Sequence, residues 1–221
     1  MKDKIPISQR IYALKEIWDM DFEKYPLASF YNEYPFLIFE SVLDKKEIQK
    51  VLNSLKKDEN YKAELVNKGF DEEIRKTILH KPTNEIREIF SKVIRDKKDI
   101  IEKFYGVSLL SGTDIQILEY RDGGFYKRHA DNASEIYKNG KLVGYKLIKP
   151  ERKLTTLLFL NEDFEGGEIE FSHLIFNDGK KVVFKPKAGE MIVFPSHGLF
   201  AHEVKEVKGN RFAIVKWWNV I

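Results

Sequence analysis

The sequence predicts an α+β protein, mainly β, in which helices pack against one face of a sheet. From about residue 107, short runs rich in Val, Ile, Leu and Phe alternate with Gly, Asn and Asp, which is typical of strands joined by turns in a β-sandwich or barrel. Residues 1–106 instead carry apolar side chains at helical spacing. No linker or repeat separates the two parts, so we expect a single domain over residues 1–221, with a helical support region at 1–106 and a β core at 107–221.

Two helices are expected in the first part of the chain. Asp44 is a suitable N-cap for the first helix, and Glu47, three residues later, completes a capping box. The second helix follows Thr83 and ends near Gly106, which suits a left-handed C-terminal position. The apolar stripes are Ile48, Val51, Leu52 and Leu55 in the first helix, and Ile86, Ile89, Phe90, Val93, Ile94, Ile100, Ile101 and Phe104 in the second.

Strands account for most of the rest of the chain. A short strand is expected at residues 36–39, and the β core contains the apolar runs DIQILEY, LTTLLFLN, EIEF, KVVFK, EMIVFP, HEVKEV and RFAIVKWW. Residues 132–152 break this pattern, because they are polar, rich in lysine and contain two glycines. We expect a long mobile loop there, or a polar hairpin.

Composition excludes several classes of protein. The 38 Lys and Arg residues against 35 Asp and Glu give a net charge of +3, too small an excess to indicate a nucleic-acid partner. No run approaches the roughly 18 apolar residues of a membrane-spanning helix, and no apolar stretch follows the N-terminal lysines as in a secretory signal. A cytoplasmic location without a membrane partner is therefore expected. The absence of cysteine excludes disulfides, iron–sulfur clusters, cysteine-bound zinc and thiol catalysis, which leaves His, Asp and Glu as metal ligands.

The histidines offer one candidate metal site. Of the five, only His129 has a carboxylate two residues later, at Asp131. Alternate residues of a strand point to the same face, so both side chains could reach one ion. Two histidines and one carboxylate with open positions form the arrangement of non-haem Fe(II) oxygenases. His197 and His202 are the candidates for the third ligand, and His202 is favoured because it opens a predicted strand.

A second chemical feature lies nine positions after His202. Arg211 opens the next predicted strand and shares a face with Ala213, Val215 and Trp217. A buried arginine on an apolar face is costly unless it meets an anion, and its planar guanidinium suits a carboxylate. Unless Arg211 is simply an edge-strand arginine in solvent, this half of the chain combines a metal site with a site for an acid.

These features together resemble the 2-oxoglutarate- and Fe(II)-dependent dioxygenase superfamily, and specifically its prolyl 4-hydroxylase-like branch. The resemblance rests on ILEYRDGGFYKRHADN, RKLTTLLFLNEDFEGGEIEF and KAGEMIVFPSHGLFAHEVKEVKGNRFAIVKWW, which follow one another within residues 115–218. The family motif of two histidines and an aspartate maps onto His129, Asp131 and His202. Its basic residue after the second histidine maps onto Arg211, and its upstream tyrosine maps onto Tyr120.

The resemblance implies a fold and a set of metal ligands. The fold would be a double-stranded β-helix, or jelly roll, of eight strands in two sheets, backed by the N-terminal helices. His129, Asp131 and His202 would bind Fe(II) and so be the catalytic residues. O2 would be consumed, and ascorbate would serve as reductant, because no thiol is present to protect the iron.

The resemblance also implies that 2-oxoglutarate binds as cosubstrate and leaves as succinate and CO2. Its distal carboxylate would meet Arg211 and Tyr120. Trp217 shares the strand face of Arg211, so we expect it either to close the bottom of the pocket or to be a core residue. Phe159 stands where some relatives carry a polar contact to the cosubstrate, and phenylalanine cannot donate a hydrogen bond. That contact is therefore expected to be absent or moved.

Three functions are compatible with these features. The first is hydroxylation of a prolyl residue in a peptide or protein, with the segment 132–152 closing on the substrate. The second keeps the iron chemistry but acts on a free amino acid, another small metabolite or a nucleobase, of which the nucleobase is disfavoured by the near-neutral charge. The third is a non-enzymatic jelly-roll module that binds a carbohydrate or has lost its activity.

Overall fold

Two α-helices, one 3-10 helix (Lys15–Ile17) and six short strands make up the described N-terminal part of the chain. The computed structural model describes residues 4–17, 20, 31–55, 60–62 and 73–221, with the backbone alone at 60–62. The helices are α1 (Lys45–Asn53) and α2 (Asn84–Tyr105). The strands are β1 (Lys4–Pro6), β2 (Ile11–Leu14), β3 (Leu37–Phe39), β4 (Asn60–Lys62), β5 (Arg75–Lys76) and β6 (Ile78–His80).

Twelve further strands follow α2, together with a second described 3-10 helix (Gly198–Phe200), which is the one meant below. The strands are β7 (Leu109–Gly112), β8 (Gln116–Tyr120), β9 (Gly124–His129), β10 (Ala133–Lys138), β11 (Lys141–Leu147), β12 (Leu154–Phe159), β13 (Glu165–Gly166), β14 (Ile169–Phe176), β15 (Lys181–Phe184), β16 (Met191–Pro195), β17 (His202–Lys208) and β18 (Arg211–Val220).

The strands form two antiparallel sheets and one separate hairpin. The first, here called the major sheet, has the order β3-β16-β12-β18-β8-β6-β4, and β7 also pairs with β18. The second, here called the minor sheet, has the order β1-β2-β14-β17-β9-β5, with β15 paired to β14 and β13 to β17. Strands β10 and β11 pair with each other in a two-stranded sheet.

The strand order is that of a double-stranded β-helix. Strands β8, β12, β16 and β18 lie in the major sheet, whereas β9, β14, β15 and β17 lie in the minor sheet. The chain therefore crosses repeatedly between two sheets, as in a jelly roll. Apolar side chains from both sheets share one core, which includes Leu158, Phe171 and Phe194. The prediction of a mainly β jelly roll with N-terminal helices is confirmed.

The two predicted helices form where the capping residues place them. Asp44 accepts hydrogen bonds from the backbone N–H of Lys46 and of Glu47, and Glu47 accepts one from the Asp44 N–H, so the capping box is complete. Thr83 caps α2, which ends at Gly106 in the left-handed conformation at φ +65°. Both helices contribute buried residues to the common core.

The predicted apolar stripe of α2 is only partly buried. Phe90, Ile94 and Ile101 lie in the core, but Ile100 is 50% exposed and Phe104 is 39% exposed. The last two lie one residue before Ile101 and Tyr105, so each is rotated by about 100° from the buried face. Apolar spacing alone did not separate these two faces of the helix.

The region before residue 107 contains more strand than its helical pattern predicts. Strands β2, β3, β5 and β6 pair with β14, β16, β9 and β8 respectively, so this region extends both sheets. The predicted strand at residues 36–39 is confirmed as β3, but the others have two to four residues. Segments this short show no recognisable alternation, and they are ordered by pairing with the core strands.

The polar segment at residues 132–152 contains the hairpin of β10 and β11, one of its two predicted forms. Its turn lies at Asn139 and Gly140, both at positive φ. Neither α1 nor α2 has the length and apolar character that crossing a membrane requires.

Candidate active site

The jelly roll brings the three predicted metal ligands together at the ends of two strands. His129 is the last residue of β9, His202 is the first of β17, and the two are direct partners in the antiparallel ladder. Their ring centroids lie 4.5 Å apart. Asp131 follows β9 and turns back, so that its Oδ1 lies 3.8 Å from His129 Nε2. One ligand atom from each of the three residues lies within 4.8 Å of the others.

Backbone carbonyls orient both imidazoles in the same way. The Nδ1 atom of His129 lies 3.0 Å from the carbonyl of Lys127, and the Nδ1 atom of His202 lies 3.0 Å from the carbonyl of Phe200. A carbonyl accepts only from a protonated nitrogen, so each Nδ1 carries the proton and each Nε2 presents a lone pair. Burial, together with the neighbouring His202, lowers the pKa of His129 well below its usual value, which keeps the ring neutral.

The carboxylate of Asp131 is held by a residue that sequence reasoning left unassigned. Thr155 Oγ1 donates to Asp131 Oδ2 at 2.6 Å and is itself 2.8 Å from Ser196 Oγ. Arg152 Nη1 donates to the Asp131 backbone carbonyl at 3.1 Å. These bonds occupy Oδ2 and the backbone, and they leave Oδ1 facing the histidines. The sequence could not decide which residues of β12 face inward, and the structure shows that Thr155 and Leu157 line the cavity.

Arg211 is buried without a hydrogen-bonding partner among the described residues. It is 1% exposed, and none of its three guanidinium nitrogens is hydrogen-bonded. The guanidinium lies 4.9 Å from the ring centroid of Tyr120, its ladder partner in β8, and 5.4 Å from that of Phe159. Burial lowers the pKa of Arg211. Leaving a cation buried and unpaired costs several kcal/mol, so the site is suited to an anion.

Gly167 makes room for the side chain of Arg211. A Cβ atom at this position would lie 2.8 Å from Arg211 Cδ and 2.9 Å from the Phe164 ring, and the backbone has a φ of +65°. Both the close approach and the conformation therefore require glycine.

Trp217 lies on the same face of β18 as Arg211, as predicted. It is 8% exposed, and its Nε1 has no hydrogen-bonding partner among the described residues. The guanidinium carbon of Arg152 lies over this ring, 3.8 Å from its centroid. A cation–π contact this close fixes both side chains in the cavity wall.

All six predicted site residues line one cavity of about 350 Å³. Its lining includes His129, Asp131, His202, Arg211, Tyr120 and Trp217. His197, the other candidate for the third ligand, lies outside this lining and outside the three-residue cluster. It instead caps the 3-10 helix, where its Nδ1 accepts from the Leu199 N–H at 3.3 Å.

Two further residues of the cavity wall were not predicted. The Tyr126 ring stacks on His129 with centroids 3.5 Å apart, and the Arg75 guanidinium lies 4.5 Å from the Tyr126 ring. Strict alternation would place Tyr126 and His129 on opposite faces, but the β9–β17 ladder is irregular between them. Arg75 lies in a two-residue strand, and no sequence signal connects it with the site.

The fold and the site define a class of protein. A jelly roll that brings two histidines and one aspartate to a cavity also containing an unpaired arginine has the donor set of a non-haem Fe(II) oxygenase. Residues 115–219 match the model of the 2OG-Fe(II) oxygenase superfamily. This region of the chain is therefore similar to that superfamily, and the curated proteins that it resembles include prolyl hydroxylases.

Comparison with curated proteins gives similar results. Prolyl 3-hydroxylase 2 of Homo sapiens is 39% identical over 101 residues, which cover 42% of this chain and 13% of the human protein. The chain thus spans only about an eighth of that relative's length.

Two solved structures share the fold. A prolyl hydroxylase from Trichoplax adhaerens, in complex with a hypoxia inducible factor peptide fragment, has a TM-score of 0.66 and 21% identity, covering 84% of this chain and 83% of that one. A prolyl-4-hydroxylase from Pseudomonas putida has a TM-score of 0.64 and 20% identity, covering 84% and 93% respectively.

The residues present fit the two groups that the superfamily uses. Two Nε2 lone pairs and a free carboxylate oxygen are donors that Fe(II) accepts. A buried guanidinium without a partner matches a carboxylate of 2-oxoglutarate.

Proposed function

We propose that this chain is a 2-oxoglutarate- and Fe(II)-dependent dioxygenase that hydroxylates a prolyl residue of a peptide or protein. The observation that carries the proposal is one cavity with three clustered metal-ligand atoms and a buried guanidinium without a partner. The prolyl assignment rests on the named relatives, which include a 3-hydroxylase and a 4-hydroxylase.

Each candidate residue has a stated task in this proposal. His129, Asp131 and His202 hold the iron, and Arg211 with Tyr120 receives the distal carboxylate of 2-oxoglutarate. When bound, the iron and the cosubstrate supply O2 activation, in which one oxygen atom enters succinate as CO2 leaves and the other becomes the new hydroxyl group.

The protein contributes orientation and exclusion of water. The carbonyls that hold the two Nδ1 atoms fix the imidazole planes, and Thr155 fixes the carboxylate of Asp131. The burial of Arg211 means that little water competes for its guanidinium. A charge-assisted contact is strong in such surroundings and selects a dicarboxylate over a monocarboxylate.

The test is mass spectrometry of proline-containing peptides incubated with the chain, Fe(II), 2-oxoglutarate and ascorbate. We expect succinate to form and a peptide to gain one oxygen atom, and fragmentation then distinguishes the 3- from the 4-position of the ring. Turnover with a free amino acid but with no peptide would shift the proposal to a small-molecule hydroxylase. Failure to bind Fe(II) and 2-oxoglutarate would contradict it and leave a non-enzymatic module.

A further inference from the structure

Two buried hydroxyl groups next to the metal-ligand cluster form a hydrogen-bonded chain that ends on Asp131. Ser196 directly follows β16, and its Oγ lies 2.8 Å from Oγ1 of Thr155 in β12. Thr155 Oγ1 in turn donates to Asp131 Oδ2 at 2.6 Å. Ser196 is 2% exposed and Thr155 is 1% exposed. A buried hydroxyl group is costly unless it is hydrogen-bonded, so both groups are held in this chain.

The chemistry of the three groups fixes the direction of the chain. A hydroxyl group has one proton to donate, whereas an ionised carboxylate only accepts. Because Thr155 gives its proton to Asp131, it has to accept the hydrogen bond from Ser196. A donor that also accepts is polarised, which strengthens the bond that it donates. Ser196 therefore acts on Asp131 through Thr155.

The backbone of Ser196 keeps its hydroxyl group in place. Its N–H donates to the Lys153 carbonyl at 3.0 Å, and its carbonyl accepts from the Asn132 N–H at 3.2 Å. Lys153 lies two residues before Thr155 in the chain, and Asn132 directly follows Asp131. Ser196 thus joins the segment that carries Thr155 to the segment that carries Asp131.

The two carboxylate oxygens of Asp131 consequently have different surroundings. Oδ2 accepts the hydrogen bond from Thr155, whereas Oδ1 lies 3.8 Å from His129 Nε2. A carboxylate binds a metal ion through one oxygen or through both. Binding through both requires the metal ion to share Oδ2 with Thr155, which weakens one of the two interactions. The hydrogen bond therefore favours binding through Oδ1 alone.

We propose that Ser196 is a positioning residue that acts through Thr155 to make Asp131 bind iron by one oxygen only. This inference rests on the proposed function and concerns the metal site that the function requires. Two histidines and one carboxylate oxygen leave positions open for the cosubstrate and O2. A second oxygen from Asp131 would occupy one of these positions and so compete with 2-oxoglutarate.

Infrared difference spectra of the protein with and without Fe(II), recorded anaerobically, test this inference. Isotopic labelling of the aspartate carboxyl groups identifies the bands of the aspartate that binds the metal. Its two carboxylate stretching bands lie far apart when one oxygen binds and close together when both bind. We expect a wide separation in the parent and a narrow one in Thr155→Val. Thr155→Ser, which restores the hydroxyl group, should restore the wide separation.

The contribution of Ser196 is measured in two backgrounds. Ser196→Ala alone should narrow the separation less than Thr155→Val does, because Thr155 keeps its own hydroxyl group. When Thr155→Val is already present, Ser196→Ala should have no further effect, since its contribution passes through Thr155. Circular dichroism checks that each variant folds.

Calorimetric titration gives a second measurement that does not depend on turnover. We expect 2-oxoglutarate to bind the Fe(II)-loaded Thr155→Val variant about tenfold more weakly than the parent, the lower end of what loss of an outer contact costs at a metal site. The matched control is Thr156→Val, the next threonine in β12. Its hydroxyl group is also buried but bonds to the Lys216 carbonyl and Trp218 Nε1, so both measurements should stay as in the parent.

A narrow band separation in the parent, or a wide one in Thr155→Val, would overturn the inference. The same would follow if Thr156→Val changed the spectrum as Thr155→Val does, or if Ser196→Ala alone left the spectrum of the parent unchanged. An effect of Ser196→Ala that persists beside Thr155→Val would also overturn it. A parent that binds Fe(II) and 2-oxoglutarate but fails one of these tests refutes this inference alone, whereas a parent that binds neither refutes the proposed function.

Discussion

At the scale of single residues, the candidate ligands are oriented before any metal arrives. Both histidines are held through Nδ1 by the carbonyl two residues earlier in the chain, at Lys127 and at Phe200. The same local bond at both ladder partners points both Nε2 atoms into one cavity. Little reorganisation is then needed on binding, which favours affinity.

The choice between His202 and His197 as third ligand is directly testable. We expect His202→Ala to lose Fe(II) affinity by more than the roughly 10–100-fold that loss of an outer contact costs. His197→Ala should keep the affinity, because His197 caps a 3-10 helix outside the cluster. Anaerobic Fe(II) titration measures both, with circular dichroism to check that each variant folds. Equal losses in the two variants would contradict the assignment.

Removal of the guanidinium of Arg211 should separate cosubstrate binding from metal binding. We expect Arg211→Gln to weaken 2-oxoglutarate binding by about 10–100-fold, the value of a charge-assisted contact. Fe(II) affinity should change little, because Arg211 contacts Tyr120 and Phe159 rather than the ligands. The measurements are calorimetric titrations with each ligand. Unaltered 2-oxoglutarate affinity would place the acid elsewhere.

At the scale of elements, the β10–β11 hairpin is held beside the site by Tyr145, together with Arg128 of β9, which donates to Glu135 and Tyr137 of β10. Tyr145 is 3% exposed, and its hydroxyl lies 2.6 Å from His173 Nε2. Its ring packs so closely on the 3-10 helix that a Cβ at Gly198 would lie 2.4 Å from it. Tyr145 also packs with Ala130 and Ala201, which adjoin candidate ligands. The hairpin therefore has a fixed base next to the cavity.

Loss of the Tyr145 hydroxyl should loosen this hairpin. Tyr145→Phe leaves the buried Nε2 of His173 without its hydrogen-bonding partner, which costs about 1–3 kcal/mol. We expect faster hydrogen exchange in residues 133–147 and a lower free energy of unfolding. The control is Tyr12→Phe in β2, a tyrosine outside the hairpin whose ring contacts Lys4. Equal exchange rates in the two variants would show that the hydroxyl is not the fastening.

At the scale of the whole molecule, the N-terminal region completes both sheets. Strands β5 and β6, consecutive in the chain, pair with β9 of the minor sheet and β8 of the major sheet. The same β5 carries Arg75 into the cavity wall. An N-terminal segment without a family motif therefore both covers sheet edges and contributes to the site.

Stability should fall in acid because of a buried neutral histidine. Burial lowers the pKa of His173 to about 4, whereas an unfolded histidine titrates near pH 6.5. Between these values the unfolded chain binds a proton that the folded chain does not. The contribution of His173 is thus complete above about pH 6.5 and is lost as the pH falls toward 4, by about 3 kcal/mol in total.

Urea denaturation of the parent and of His173→Gln at pH 7.5 and 4.5 measures this contribution. The parent should lose more stability between the two values than the variant, since glutamine does not titrate. His197, whose pKa burial lowers to about 3, adds a loss of the same sign to both proteins. Identical losses in the two proteins would contradict the prediction.

Prediction from sequence worked where the signal is local. Asp44, Thr83 and Gly106 mark helix ends by their own chemistry, and long apolar runs mark the core strands. Prediction from sequence failed where the structure of a segment depends on residues far away in the chain. Strands of two to four residues form because a core strand lies beside them, and Ile100 is exposed because the packed face of α2 lies elsewhere.

The candidate site likewise contains some residues that the sequence indicated and others that it did not. His129, Asp131, His202 and Arg211 have recognisable spacing, so the sequence selected them, and they line one cavity. Arg75, by contrast, is far from them in the chain and belongs to no motif. Its position depends on the pairing of β5 with β9.

By itself, the sequence determined the class of fold, the helix ends, and the residue types able to bind a metal and an acid, because these depend on neighbours within a few positions. Only the tertiary structure decided which face of β12 points inward, so that Thr155 reaches Asp131. It also decided that Tyr126 stacks on His129 and that Arg75 and Arg152 line the same cavity. Those contacts join residues far apart in the chain or across an irregular ladder, and their geometry exists only once the sheets have packed.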